Sequence, residues 1–213
     1  MEIVILFVYL FICLLNLYFG VKANRQGQFI TKMLLTPTLF FLYQTRNNDV
    51  DLFVLFALLF CFLGDLFLEY SRKRKYFLAG LASFLAGHVF LGLRFIQDTD
   101  WAPLSQGWFY LCVLAYGAYG IFFTHNLLCL TKKADKISVS AYCTVIIFMS
   151  LSALLRIFAV PRLDFLLVYL GSLVFILSDS ILAINRFRRR SRYGGLWVML
   201  TYGIALLLII LGL

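Results

Sequence analysis

Apolar residues recur along this chain in eight long blocks, at residues 3–21, 29–45, 50–69, 76–96, 106–129, 137–158, 163–185 and 194–213. A helix rises 1.5 Å per residue, so about 20 apolar residues cross the roughly 30 Å hydrocarbon layer of a bilayer. Each block therefore predicts a transmembrane helix. The second, 29–45, is short and contains Pro37, which makes it the weakest of the eight. The links between blocks are short, as expected of an antiparallel bundle in which each helix satisfies its own backbone groups. The reading is an all-α polytopic bundle of about eight helices, one transmembrane domain over residues 1–213.

Composition points the same way. Hydrophobic residues make up 63% of the 213 and charged residues 14%, against about 45–50% and 25% in soluble domains. A soluble core of this size has no room for so much apolar surface, and no polar stretch is long enough for a separate soluble domain. The first block has no Lys or Arg before it, and Gly20-Val21-Lys22 is a poor cleavage site. It reads as a retained helix and not as a secretory signal. Cys13, Cys61, Cys112, Cys129 and Cys143 stand singly in apolar runs, with no CxxC or Cys/His spacing. They read as small packing residues, not as a disulfide framework or a zinc ribbon.

The net charge of +9 raises nucleic acid as a partner, but the placement of the charges answers otherwise. Lys22, Arg25 and Lys32 follow the first block, and Arg72, Lys73, Arg74 and Lys75 the third. Lys132, Lys133 and Lys136 follow the fifth, and Arg186, Arg188, Arg189, Arg190 and Arg192 the seventh. Those fifteen cations fall on one side. The other side has Arg46, Arg94, Arg156 and Arg162 with Glu2, Asp49, Asp51, Asp98, Asp100 and Asp164. The positive-inside rule then places the basic links in the cytoplasm and both termini on the non-cytoplasmic side. The basic clusters thus set topology and attract anionic headgroups; the partner is the lipid bilayer, and no nucleic acid is expected. Tyr70, Trp101, Trp108 and Trp197 near block ends fit interfacial anchoring. In a bacterium this predicts an inner-membrane protein, and otherwise one of the endoplasmic reticulum type. The pattern specifies no oligomeric state.

Within the apolar blocks few ionisable residues remain: Asp65, Asp179, His88, His125 and, near a helix start, Lys32. A charge at mid-bilayer costs about 2.5–3.5 kcal/mol on insertion scales, so such residues tend to face the bundle interior and mark functional paths. Asp65 lies seven residues before Arg72, Asp179 seven before Arg186 and His125 seven before Lys132. Each therefore sits about 10 Å in from a basic cluster, and His88 lies deeper. A packing role competes for each histidine and is the stronger reading for His125; Lys32 can instead snorkel to headgroups. Gly64, Gly80, Ser83, Gly87, Gly171, Ser172 and Ser178 cluster near the acids. Gly80, Ser83 and Gly87 share one helical face, which predicts close packing of the third, fourth and seventh helices.

Two carboxylates brought together in an apolar layer repel as anions and can hold one proton between them. Such a pair supplies a general acid and a general base in one pocket, as in glycoside cleavage through an oxocarbenium-like state. No metal or other cofactor is required. Two histidines cannot build a three-histidine zinc site, although a His/Asp mixture stays open. Neither GxSxG nor HExxH occurs, and Ser178 beside Asp179 is a weak nucleophile candidate.

Four segments at these residues resemble the lysoplasmalogenase or YhhN-like membrane proteins. Thr31-Lys32-Met33-Leu34-Leu35-Thr36-Pro37 is similar to the family's Thr-Lys-Pro-Leu-Leu-x-Pro segment, and Gly64-Asp65 with Leu68 to its Gly-Asp-x-x-Leu motif. Phe77, Gly80, Phe84 and His88 resemble the stretch that follows. Phe175, Ser178 and Asp179, continuing to Arg186-Phe187, resemble the late Ser-Asp motif. The likeness runs from about residue 29 to the last helix. Met33 stands in place of a proline, Leu91 where a tyrosine is expected, and Leu206, after a recognisable Thr201-Tyr202, where the family tends to have glutamine.

The resemblance implies hydrolysis of the alkenyl ether bond of lysoplasmalogen to a fatty aldehyde and a glycerophospho-base. A vinyl ether suits the same acid–base logic, since protonation at carbon gives an oxocarbenium ion to which water adds. On that reading Asp65, Asp179 and His88 are the catalytic residues, while Lys32, Ser178 and Tyr202 contact substrate. The competing function is a proton-coupled small-solute transporter that uses the same Asp and His residues. Residues 1–105 and 106–213 show no convincing repeat of the kind transporters often have. A third reading makes the acids mere helix locks in a sensor or assembly factor.

Overall fold

The structure is a computed structural model of the whole chain and describes residues 1–47, 49–71, 73–128, 133–187, 191 and 193–213. Arg72, Cys129, Lys132, Arg188, Arg189, Arg190 and Arg192 of the sequence reading lie outside the described residues.

Eight long helices follow one another: α1 (Glu2–Val21), α2 (Arg25–Arg46), α3 (Leu52–Glu69), α4 (Arg74–Gln97), α5 (Gly107–Leu128), α6 (Lys133–Leu154), α7 (Arg162–Phe187) and α8 (Gly194–Leu211). Short 3-10 turns at Ala102–Ser105 and Leu155–Phe158 complete the described elements. Seven of the helices, all but α2, are long and apolar enough to cross a membrane. Their outward faces carry large exposed apolar side chains such as Phe7, Leu111, Ile121 and Phe122, which only a hydrocarbon solvent tolerates at this density. This is an integral membrane protein.

α2 runs longer than the apolar block 29–45. Asn24 caps it by accepting a hydrogen bond from the Gly27 N–H at 3.0 Å, so Lys32 lies two turns inside the helix. Pro37 sits within the helix and does not end it, as membrane helices allow when neighbours re-satisfy the freed backbone. Two of the polar residues that lower the hydropathy of α2, Thr31 and Thr36, are buried in the protein. Thr31 donates to the Gly27 carbonyl at 2.8 Å and accepts from Asn16 of α1 at 2.9 Å.

The packing forms a closed ring: α2 on α3, α3 on α4, α4 on α6, α6 on α7, α7 on α8, and α8 back on α2. α1 braces the ring against α2 and α8, and α5 braces it against α6 and α7. Small residues set two of the tightest contacts. A methyl group added at Gly87 would lie 3.2 Å from the Ala57 carbonyl oxygen of α3, and one at Gly171 2.9 Å from the Ala205 carbonyl oxygen of α8. The expected stripe on α4 therefore packs on α3, while α7 packs on α8. α4 and α7 face each other through longer side chains, such as His88 against Phe175.

One end of the bundle is an ion-pair network. Arg46 meets Glu2 at 2.6 Å, Arg94 meets Asp51 at 2.5 Å and Asp98 at 2.7 Å, and Arg156 meets Asp98 at 3.0 Å. Arg156 is buried and also donates to the Gly212 carbonyl at 3.4 Å. The start of α1 and the end of α8 share this end, so three of its four arginines are matched by acids and the unbalanced positive charge lies at the other end.

Two outcomes follow. Gly171→Ala, whose new methyl would meet the Ile209 side chain at 2.8 Å and the α8 backbone at 2.9 and 3.0 Å, lowers the melting temperature of the detergent-solubilised protein, by about 1–3 kcal/mol of overpacking. Gly117→Ala, with open space around it, does not; equal effects would show that α7 and α8 are not in such close contact. A reporter enzyme active only outside the cytoplasm is active when fused after Leu213 and silent when inserted between Arg189 and Arg190. The reverse pattern would invert the topology expected from the charges.

Candidate active site

Each helix of the ring contributes a residue to two polar groups in the interior: Lys32 from α2, Asp65 from α3, His88 from α4, Tyr142 from α6, Asp179 from α7 and Tyr202 from α8. They form two groups. In the first, the Lys32 ammonium sits 3.0 Å from Asp65 Oδ1 and also donates to the Asp65 backbone carbonyl at 3.4 Å. The Tyr202 hydroxyl donates to Asp65 Oδ2 at 2.8 Å. Both carboxylate oxygens thus have a partner, and the Asp65 side chain is only 3% exposed. Lys32 is committed to this pair, which is the arrangement a charge needs to persist in a medium where an unpaired ion is costly.

The second group is built differently. The Tyr142 hydroxyl donates to Asp179 Oδ2 at 2.5 Å. His88 Nε2 faces the same oxygen at 3.6 Å, beyond hydrogen-bond length. On the other side of its ring, His88 Nδ1 lies 2.6 Å from the Phe84 carbonyl oxygen. A carbonyl can only accept, so Nδ1 carries a hydrogen and the neutral ring has its lone pair on Nε2. That lone pair is buried and has no hydrogen-bond partner. Asp179 Oδ2 is the acidic group facing that lone pair, 3.6 Å away. The rings of Phe175 and Tyr142 hold the imidazole edge-on, with centroids 4.5 and 5.5 Å away.

No hydrogen bond or ion pair joins the two carboxylates among the described residues. Tyr202 packs edge-on against Phe84 and Phe175, and these rings stand between the groups. Asp65 is four residues from the end of α3 and Asp179 eight from the end of α7.

The second group opens to a cleft. The cleft lies between α4, α5, α6 and α7, and among the described residues Asp179 is the one carboxylate in its lining, beside Tyr119, Tyr142 and Ser180 among mostly hydrocarbon walls. The Asp179 side chain is 12% exposed. Asp65, Lys32 and His88 do not line it. A second cleft, between α1, α2 and α8, is bordered by Tyr9, Cys13, Asn16 and Met199 and has no carboxylate.

Ser178 turns away from the cleft and donates to the Val198 carbonyl of α8 at 3.2 Å. His125 is exposed on α5, apart from the other candidates. Leu206 is buried in the core, so the position that carries glutamine in the family pattern is filled here by hydrocarbon. Among the described residues no three His, Cys, Asp or Glu side chains are grouped to hold a metal ion. Tyr142 was missed from sequence, although a tyrosine well inside an apolar block must find a partner for its hydroxyl. That was the available signal.

The fold and its interior define a polytopic helical membrane protein with a charged, hydrogen-bonded centre inside the apolar layer. Residues 27–213 match the YhhN family, and the chain belongs to it; α1 lies outside the matched segment. No curated protein and no solved structure matches the chain.

Removing one partner of a buried ion pair costs about 3–5 kcal/mol because the other is left uncompensated. Asp65→Leu and Lys32→Met should each lower the melting temperature markedly, and the double variant should recover much of the loss. Additive losses in the double variant would show that the pair does not act as a unit.

Proposed function

We propose that this protein hydrolyses the alkenyl ether bond of lysoplasmalogen within the membrane, releasing a fatty aldehyde and a glycerophospho-base. The observation that carries the reading is the Asp179 carboxyl group in the lining of an apolar cleft, backed by a histidine nitrogen 3.6 Å away. Family membership supports it. A single-chain lipid suits a cleft walled by hydrocarbon and rings, and an enol ether needs only a well-placed acid and base.

The proton balance closes on Asp179. As the acid it delivers its proton to the alkenyl carbon remote from oxygen, which leaves an oxocarbenium ion opposite the new carboxylate. Water adds at the carbon bearing oxygen and gives up a proton to that carboxylate, forming a hemiacetal. The restored acid then protonates the departing glycerol oxygen while its other oxygen takes the hemiacetal hydroxyl proton. Aldehyde and alcohol leave, and the acid is ready again. His88 does not line the cleft and backs Asp179 instead. Tyr142 orients the carboxyl group by its hydrogen bond. Asp65, Lys32 and Tyr202 form a fixed group of three behind the aromatic wall and keep the ring of helices in register.

Purified protein given lysoplasmalogen should release aldehyde, and Asp179→Asn should lower the rate by about 10²–10⁴-fold, the usual contribution of a positioned proton donor. In D2O the aldehyde should carry one deuterium on the carbon next to the carbonyl. No release by the wild-type protein, where another enzyme of this reaction works, would defeat the reading. Full activity in Asp179→Asn would keep the function and remove Asp179 from it.

A further inference from the structure

The proposed substrate carries a phosphate, and the structure already commits Lys32 to Asp65. Another cation stands at the cleft itself. Arg186 lines it two helical turns from Asp179, is exposed, and has its guanidinium carbon 4.3 Å from the centroid of the Phe77 ring. Phe77 in turn meets Phe187 edge-on at 5.8 Å, so two rings frame the arginine at the basic end of the cleft. Its face contact leaves the N–H groups free of the ring, and no carboxylate pairs with it among the described residues. Arginine binds phosphate through two parallel hydrogen bonds while its plane rests on a ring.

Resting on the hydrolase reading, we propose that Arg186 is the phosphate-anchoring residue of this cleft and that its spacing from Asp179 selects lipids with a glycerol-phosphate arm. Seven residues along a helix return to nearly the same face and rise about 10 Å. In a lysoplasmalogen, seven bonds separate phosphorus from the alkenyl carbon that takes the proton. Three backbone bonds span roughly 3.3–3.6 Å when extended, so seven bonds reach about 8 Å. With the phosphate at Arg186, the alkenyl group arrives at Asp179 and the chain continues among Ile146 and Ile176. Arg186 never touches the reacting carbons; it binds and sets reach.

The test is equilibrium binding to the full chain in detergent, read by titration calorimetry with three ligands. These are a saturated alkyl-ether lysophospholipid, which lacks the cleavable bond, the corresponding alkylglycerol without phosphate, and the glycerophospho-base without a chain. Wild type should bind the lysophospholipid about tenfold or more tighter than the alkylglycerol. Arg186→Gln should reduce that ratio to about one, and Arg186→Lys should restore part of it. A ratio that survives in Arg186→Gln, or an equal loss of both chain-bearing ligands, overturns the proposal. Binding of the chainless glycerophospho-base as tightly as the lipid overturns it too, since the site would then serve a soluble phosphate. Because none of these ligands reacts, a failure of aldehyde release leaves this readout intact and separates the two outcomes.

Discussion

A charge in the hydrocarbon layer must be matched inside the protein, and the bundle is arranged around that demand. Six helices form a ring, and each turns an ionisable side chain inward. The Lys32–Asp65 pair is the fullest answer to the demand: opposite charges in contact, a tyrosine hydroxyl on the second oxygen, and almost no exposure. It ties α2 to α3 and, through Tyr202, to α8. Close packing of α3 on α4 at Gly87 and of α7 on α8 at Gly171 lets the surrounding helices close on it.

The His88–Asp179 group meets the same constraint less completely, and that difference gives it chemistry. Asp179 has a hydroxyl donor on one oxygen and a histidine nitrogen just out of reach on the same side. The His88 nitrogen keeps an unshared lone pair, whereas both oxygens of Asp65 are paired. One carboxylate is fixed inside the bundle and the other borders a cleft.

At the far end, the arginines obey another version of the rule. Arg46, Arg94 and Arg156 are tied to Glu2, Asp51 and Asp98, which cancels most of the positive charge there. The segregation of charge that orients the chain is therefore sharper than a residue count shows, because the minority cations are neutralised in place. The same network clamps the ends of α2, α4 and α6, opposite the end at which Arg186 frames the cleft.

Hydropathy and charge alternation along the sequence were enough to show an all-helical membrane bundle and to single out Lys32, Asp65, His88 and Asp179, because lipid leaves few places for an ion and each exception is conspicuous. Tyr202 was found only through the family pattern, and Tyr142 not at all, since tyrosine is common in membrane proteins and a linear pattern does not show which hydroxyl meets a carboxylate. Equal spacing from the basic clusters suggested that Asp65 and Asp179 share a cavity. Tertiary structure decided otherwise by setting where each helix ends and which neighbours it meets. Ring closure gave Asp65 to Lys32 and Asp179 to His88, and placed Phe84 and Phe175 between them. Periodicity along one helix fixes depth and face, whereas pairing depends on contacts between helices far apart in sequence, and those exist only in the assembled bundle.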